Sequence, residues 1–242
     1  MGLLRIDKVI CDSGIATRSE AKKLIASGRV YADGKKIASA DTKVDAENSG
    51  ICVDGQIING KKHRYFIMNK PEGVLSATED RMQKTVVDLL PPELSRLNLF
   101  PVGRLDKDTT GLIILTNDGD FCHEVTSPKH HIQKVYEFTV EGTLSEEDVE
   151  AFKQGIILRD GTKCMPAVLK IDNENKSHGF AAVFEGKYHQ VKRMLASRGT
   201  PVIKLKRISI GGLKLNESLK YGEYQEMDEN EIKILVNKNV SI

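Results

Sequence analysis

Apolar residues Ile6, Val9 and Ile10 recur at helical spacing, with Arg5, Asp7 and Lys8 set between them. That period predicts a short helix closed near Gly14. Thr17 and Glu20 stand at the offset of a capping box, and Ala21, Leu24 and Ile25 follow as an inner face. A second helix is therefore expected to start at Thr17 and to stop at Gly28. Beyond it the period shortens. Val30-Tyr31-Ala32 runs into Asp33-Gly34, and Ile51-Cys52-Val53 into Asp54-Gly55, each a short strand followed by a hairpin-type turn. Two helices on a small sheet is the expectation for residues 1–63. The polar stretch Asn59-Gly60-Lys61-Lys62-His63 closes that domain as a linker, and 64–242 form the second.

In the second domain Tyr65-Phe66-Ile67-Met68 reads as a strand stopped by Asn69-Lys70-Pro71, since proline cannot extend a ladder. Leu112-Ile113-Ile114-Leu115 is an uninterrupted apolar run ended by Asn117-Asp118-Gly119, the pattern of a strand covered on both faces. Val135 to Val140 alternates as a strand. Ser145 and Asp148 open a helix through Phe152, and Gln190 to Ser197 reads as a helix stopped by Gly199. Irregularly alternating strands and helices predict an α+β fold with a mixed sheet.

Composition changes this picture little, because 40% hydrophobic and 29% charged residues in 242 are ordinary for a globular protein. The distribution of charge says more than the net +2. Residues 1–63 hold eleven Lys/Arg against eight acids, and residues 185–207 hold seven basic groups against one acid. Two basic concentrations suit a polyanion binder with two contact surfaces. Arg18 and Lys22 share a face of the second predicted helix, with Lys23 and Arg29 nearby, while Arg5 and Lys8 flank the first. Like charges at that spacing repel unless phosphates neutralise them, although a merely solvated face has the same pattern. Cys11, Cys52, Cys122 and Cys164 lie far apart with no C-x-x-C pair, which speaks against zinc fingers and disulfides and for reduced thiols in the cytoplasm. The first residues are too charged for a signal peptide, and no apolar run is long enough to span a membrane.

Gly103-Arg104-Leu105-Asp106-Lys107-Asp108-Thr109-Thr110-Gly111 packs polar groups immediately before the most apolar strand of the chain. Charges beside a buried element are costly without partners. On composition alone the segment is either a capped loop, with Asp106 satisfied by backbone N–H groups, or a site. Glu185-Gly186-Lys187-Tyr188-His189-Gln190-Val191-Lys192-Arg193-Met194 is either a solvated helix start or a second piece of that site.

Two resemblances decide between these readings. Arg5-Ile6-Asp7-Lys8, Gly14, Thr17-Arg18-Ser19-Glu20-Ala21, Gly28-Arg29-Val30 and Asp33-Gly34 resemble the S4 RNA-binding domain, whose RNA-contacting positions match Arg5, Lys8, Arg18, Lys22, Lys23 and Arg29. The Gly103–Gly111 motif continued to Thr116-Asn117-Asp118-Gly119 resembles the catalytic motif of the pseudouridine synthases. Thr126-Ser127-Pro128-Lys129-His130-His131 with Lys134-Val135-Tyr136, the Glu185–Met194 stretch and Ile210-Gly211-Gly212-Leu213 resemble further motifs of the RsuA type, which modifies small-subunit rRNA.

The resemblance implies an isomerase that turns a uridine of 16S rRNA into pseudouridine. No redox equivalent or group donor is consumed, so no cofactor is expected. It assigns the catalytic carboxylate to Asp106, the active-site aromatic to Tyr136 and the basic partner of Asp106 to Lys192, with Arg193 the neighbouring alternative. Arg104 and Arg193 are expected to contact substrate. Asp108 and Asp118 are the competing carboxylates, both read as structural. His130, His131 and His189 have no accompanying ligands at metal spacing, and no metal is expected. The implied setting is a cytoplasmic monomer acting on 16S rRNA or a partly assembled small subunit of the ribosome, away from membranes. A non-catalytic assembly factor of the same fold is one alternative, which the intact motif around Asp106 argues against. An enzyme of large-subunit rRNA is another, less favoured by the Ser127–His131 and Tyr188–Arg193 stretches.

Overall fold

A computed structural model describes residues 3–46, 48–58 and 63–235. Its contacts divide the chain into two units, Met1–Arg64 with Leu90–Leu99, and Tyr65–Leu89 with Phe100–Ile242. Asn59 to Lys62, the greater part of the expected linker, lie outside the described residues.

The first unit begins with β1 (Leu4–Arg5), α1 (Ile6–Asp12) and α2 (Arg18–Ala26). The Thr17 capping box forms as expected: Glu20 N–H donates to Thr17 Oγ1 at 3.3 Å, and Thr17 N–H donates to Glu20 Oε2 at 2.8 Å. The four-stranded sheet β3-β2-β5-β6 follows from β2 (Val30–Ala32), β3 (Lys35–Lys36), β5 (Ile51–Val53) and β6 (Gln56–Ile57). Asp33-Gly34 and Asp54-Gly55 all have positive φ, the mirror-image turn that suits strand twist. A separate ladder between β1 and β4 (Lys43–Val44) gives no periodic signal, because two residues cannot show one. Ile6, Ile10, Ala21, Val30 and Ile51 are sealed from solvent in the core. The Leu90–Leu99 segment, with α3 (Pro92–Ser95), adds Leu97 beside Gly14 and an Arg96 hydrogen bond to the Ile15 carbonyl.

The second unit is one mixed sheet with helices against it. In chain order it contains β7 (Tyr65–Lys70), β8 (Phe100–Pro101), β9 (Thr110–Thr116), α4 (Gly119–Thr126), β10 (Lys134–Val140), α5 (Glu146–Gln154), β11 (Val168–Ile171), β12 (His178–Val183), α6 (Gln190–Ser197), β13 (Val202–Ile210), β14 (Leu213–Lys214), β15 (Tyr224–Glu226) and α7 (Glu229–Leu235). The main path is β11-β12-β10-β13-β9-β7-β15, antiparallel throughout except where β13 meets β9. Leu112 to Leu115 are fully buried, as a strand covered on both faces requires.

β7 runs two residues past the expected stop, pairing Asn69 with Leu112 and Lys70 with Gly111 before Pro71 ends it. The polar ends of both side chains find carbonyl acceptors, so neither residue interrupts the ladder. Ser145 and Asp148 form their capping box ahead of α5, and α6 has the span predicted for it.

Candidate active site

The loop before β9 is held by its own backbone. Lys70 is buried completely, and its Nζ donates to the carbonyls of Pro71, Lys107 and Thr109 at 3.0, 3.2 and 2.9 Å. Burial pushes the Lys70 ammonium down to about 8. Ser76 clips the loop from a second side, donating to the Leu105 carbonyl at 2.9 Å and accepting from Leu105 N–H at 3.0 Å. Gly73 N–H donates to the Lys107 carbonyl at 2.8 Å. Asp106 is thus carried on a segment whose carbonyls are gripped on either side of it.

α6 delivers the cation. Its N-cap, His189, takes the left-handed conformation (φ 48°, ψ 37°), rare for a residue with a Cβ. The turn before it is organised by Glu185, 5% exposed, which accepts from Met165 N–H at 2.8 Å and Gln190 Nε2 at 2.9 Å and pairs with Lys187. Lys192 then lies on the first turn, with Nζ 2.9 Å from Asp106 Oδ2 and 2.5 Å from Asp108 Oδ1. Burial pulls Lys192 down, but hydrogen bonds to Asp108 and Asp106 outweigh it and hold the ammonium above its ordinary range. The same bond to Lys192 lowers Asp108. His189 Nε2 stands 3.3 Å from Asp106 Oδ1, and its ring stacks on the exposed Tyr188 at 3.8 Å.

The sheet supplies the opposite wall. Tyr136 on β10 lines the Asp106 cleft together with Lys134 and Arg207. A bulge puts Arg207 there: the β10–β13 register steps from Val135↔Ser209 to Tyr136↔Arg207 and skips Ile208. Without the extra residue, alternation would have turned Arg207 to the other face. Across β13, Gly111 approaches so closely that a Cβ would lie 2.2 Å from the Arg207 carbonyl oxygen, and its φ is +99°. Only glycine fits that position. The resulting cleft encloses about 880 Å³, with Arg104 exposed at its edge and Val102, Val125 and Ile210 as apolar lining.

Asp106, Tyr136 and Arg104 therefore share one cleft, and Lys192 grips Asp106 at its wall. Arg193, the neighbouring candidate, pairs instead with Asp160 at 2.5 Å and is absent from the cleft lining. Asp160 is held down at about 2 by Thr162, through its backbone and side chain, and then by Arg193. Asp118 caps α4 by accepting from Asp120 and Phe121 N–H, both at 3.1 Å. Asp108, read as structural from sequence, touches Lys192, and His189, considered only as a metal ligand, touches Asp106. Sequence reasoning also passed over Lys70, Ser76 and Arg207, whose placement depends on strands far apart in the chain. The presence of two carboxylates in one loop was the available signal for Asp108. Among the described residues no group of three or more His, Cys, Asp or Glu is arranged to hold a metal.

In the first unit Arg18, Lys22 and Lys23 are exposed and Lys8 is half-buried. Arg5 makes a paired hydrogen bond to Asp7 at 3.1 and 2.9 Å, and Arg29 one to Asp54 at 2.5 and 2.6 Å. Two of the six candidate RNA contacts thus already have carboxylate partners. No helix among the described residues is long and apolar enough to cross a membrane.

Residues 64–197 match the family described as RNA pseudouridylate synthase, and residues 4–49 match the S4 domain. A relative from Bacillus subtilis described as an uncharacterized RNA pseudouridine synthase is 42% identical over 234 residues, covering 96% of this chain and 98% of its own. The ribosomal small subunit pseudouridine synthase A of Escherichia coli K12 is 37% identical over 238 residues, covering 96% of this chain and all of its own. A crystal structure of a pseudouridylate synthase superposes with a TM-score of 0.67 at 36% identity, over 96% of this chain and 99% of that one.

Proposed function

Because the chain belongs to the RNA pseudouridylate synthase family and carries an S4 domain ahead of its catalytic segment, we propose that it isomerises one uridine of small-subunit rRNA to pseudouridine, with Asp106 as the catalytic carboxylate. The observation that carries this reading is the Asp106 carboxylate held between Lys192 and His189, at 2.9 and 3.3 Å, on the wall of a cleft that Tyr136 also lines.

The reaction breaks the N1–C1′ bond of uridine, turns the ring and joins C5 to C1′; the C5 proton is lost and N1 gains one. Such a step calls for a carboxylate that stays ionised in a partly dry site, as nucleophile, base or stabiliser of an electron-poor sugar. Lys192 supplies the counter-charge, with its Nζ 2.9 Å from Asp106 Oδ2. A uridine must leave its helix to enter the cleft, and the Tyr136 ring, part of the cleft lining, stacks on it in this reading. Arg104, exposed at the cleft edge, suits a phosphate of the same strand. The small-subunit target follows from relatives that carry it in their names, and the protein acts on it as a monomer.

The test is Asp106→Asn. The variant should bind a small-subunit rRNA fragment as tightly as the parent, and carbodiimide mapping should find no pseudouridine. If Asp106→Asn modifies the RNA at the parental rate, the assignment is wrong.

A further inference from the structure

Two cations in the Asp106 cleft make no ion pair with a carboxylate among the described residues. Lys134 and Arg207 are 7% and 4% exposed, and both line the cleft on the same sheet face as Tyr136. Among the described residues Lys134 Nζ makes a single hydrogen bond, to the Val125 carbonyl at 3.3 Å. Arg207 Nε donates to the Leu112 carbonyl at 2.7 Å, while its Nη2 is buried with no acceptor. Each is the other's charged neighbour: burial first, then Arg207, pushes Lys134 down to about 8. Lys70 offers the contrast, a buried ammonium with three carbonyls around it.

Burying two like charges together, one with an unmet donor, is a costly arrangement that packing alone does not explain. The backbone goes out of its way to build it, with a bulge that turns Arg207 inward and a glycine at position 111 that lets β9 pass. What the pair lacks is an oxygen carrying negative charge.

We propose that Lys134 and Arg207 form an oxyanion subsite that receives a carbonyl oxygen of the target uracil and holds the negative charge the ring acquires during the reaction. The inference rests on the isomerase reading above. When N1–C1′ breaks, its electron pair stays on the ring and spreads over N1, C5 and the carbonyl oxygens. The pair at C5 later remakes the bond to C1′, so the charge exists only between the two bond changes. Donors fixed in advance at that oxygen lower the barrier without tightening the ground state. Depth favours the base over the strand's phosphate, because a flipped base reaches furthest into a pocket while the phosphodiester stays nearer the surface.

The experiment uses full-length protein and small-subunit rRNA fragments under single-turnover conditions, with the parent and Asp106→Asn alongside. Lys134→Gln should slow pseudouridine formation by about 100-fold or more, leave RNA affinity and its salt dependence unchanged, and be largely rescued by Lys134→Arg. On RNA with 5-fluorouridine at the target, where fluorine itself stabilises the ring anion, the Lys134→Gln defect in substrate consumption should shrink. A Lys134→Gln rate equal to the parent overturns the proposal. So does an equal slowing on both substrates, which marks a structural role. A loss of affinity with the salt slope reduced by about 0.7 marks a phosphate contact instead and also overturns it. If the parent itself forms no pseudouridine, the isomerase reading has failed, and the subsite fails with it.

Discussion

The Nζ of Lys192 lies 2.9 Å from Oδ2 of Asp106 and simultaneously 2.5 Å from Oδ1 of Asp108. One ammonium thus bridges two carboxylates of the same loop, and Asp108, the more exposed of them, competes with Asp106 for it. Removing the cation leaves two negative groups facing each other without a counter-charge. Lys192→Gln should therefore lower kcat by about 100- to 1000-fold. Lys192→Arg should retain much of the rate. Asp108→Asn frees Lys192 for Asp106 and should retain most of the rate. Arg193→Gln breaks the pair with Asp160 and a 3.4 Å hydrogen bond to the Tyr188 carbonyl, leaves the Lys192–Asp106 contact in place and should retain most of the rate. Single-turnover rates of the four variants check this, and an Arg193→Gln rate that falls as far as that of Lys192→Gln would sink it.

Much of this arrangement is visible in the chain itself. The Thr17 and Ser145 boxes, the Asp-Gly turns and the apolar run at Leu112–Leu115 are local signals, and each appears where its chemistry requires it. Asp106, Tyr136 and Lys192 could be named in advance because the three segments that carry them resemble motifs of one family. What sequence does not carry is the register between distant strands. The bulge at Ile208 decides which way Arg207 points, and nothing in Arg207's neighbours announces it. Lys70 is similarly hidden: a lysine before proline looks like a strand end, yet its ammonium turns inward to carbonyls nearly forty residues on. The choice between Lys192 and Arg193 also depends on the phase of α6, which a one-residue error would reverse.

Lys70 predicts a pH dependence of stability. Its folded value of about 8 lies below the ordinary 10.5. Between those values the unfolded chain binds more protons than the folded one, so stability rises with pH. The contribution is complete above 10.5 and is lost as pH falls through about 8. Its slope is at most about 1.4 kcal/mol per pH unit. Lys70→Met removes this dependence and leaves that of Lys134 intact. Urea denaturation near pH 7.5 and near pH 10 should find the parent's advantage over Lys70→Met greater at the higher pH. A constant or shrinking difference would mean that the ammonium is not desolvated as its burial implies.

Gly111 tests the close approach that brings Arg207 to the cleft. At this position a methyl group meets the Arg207 carbonyl oxygen at 2.2 Å and its amide nitrogen at 2.8 Å, and neither can move without opening the β9–β13 pairing. Gly111→Ala should cost roughly 2–4 kcal/mol, combining strain with overpacking. Gly161, also at positive φ but with open space around it, is the control. Gly161→Ala should lose only about 1–2 kcal/mol from backbone strain. Chemical denaturation of the two variants separates the terms, and equal losses would show that the approach to Arg207 is not tight.

The basic surface of the first unit divides into cations with and without carboxylate partners, and this division predicts which of them meet phosphate. Arg29 is bound through both Nε and Nη2 to Asp54, and Arg5 in the same way to Asp7, so each would have to give up an existing bond to take a phosphate. Arg18 and Lys22 are exposed on adjacent turns of α2 with no such paired bond. Their mutual repulsion is relieved by an anion, and each phosphate they neutralise releases counterions to solvent. Replacing both by glutamine should therefore weaken RNA binding at low salt and reduce the slope of log affinity against log salt by about 0.7–0.9 for each phosphate that is no longer neutralised. Arg29→Gln should change the slope less, since it removes a charge that Asp54 already offsets. Filter binding across a salt series measures both quantities. A slope that falls more for Arg29→Gln than for the Arg18/Lys22 pair would mean that RNA displaces Asp54, and that the ion pairs of this unit are themselves part of the binding surface.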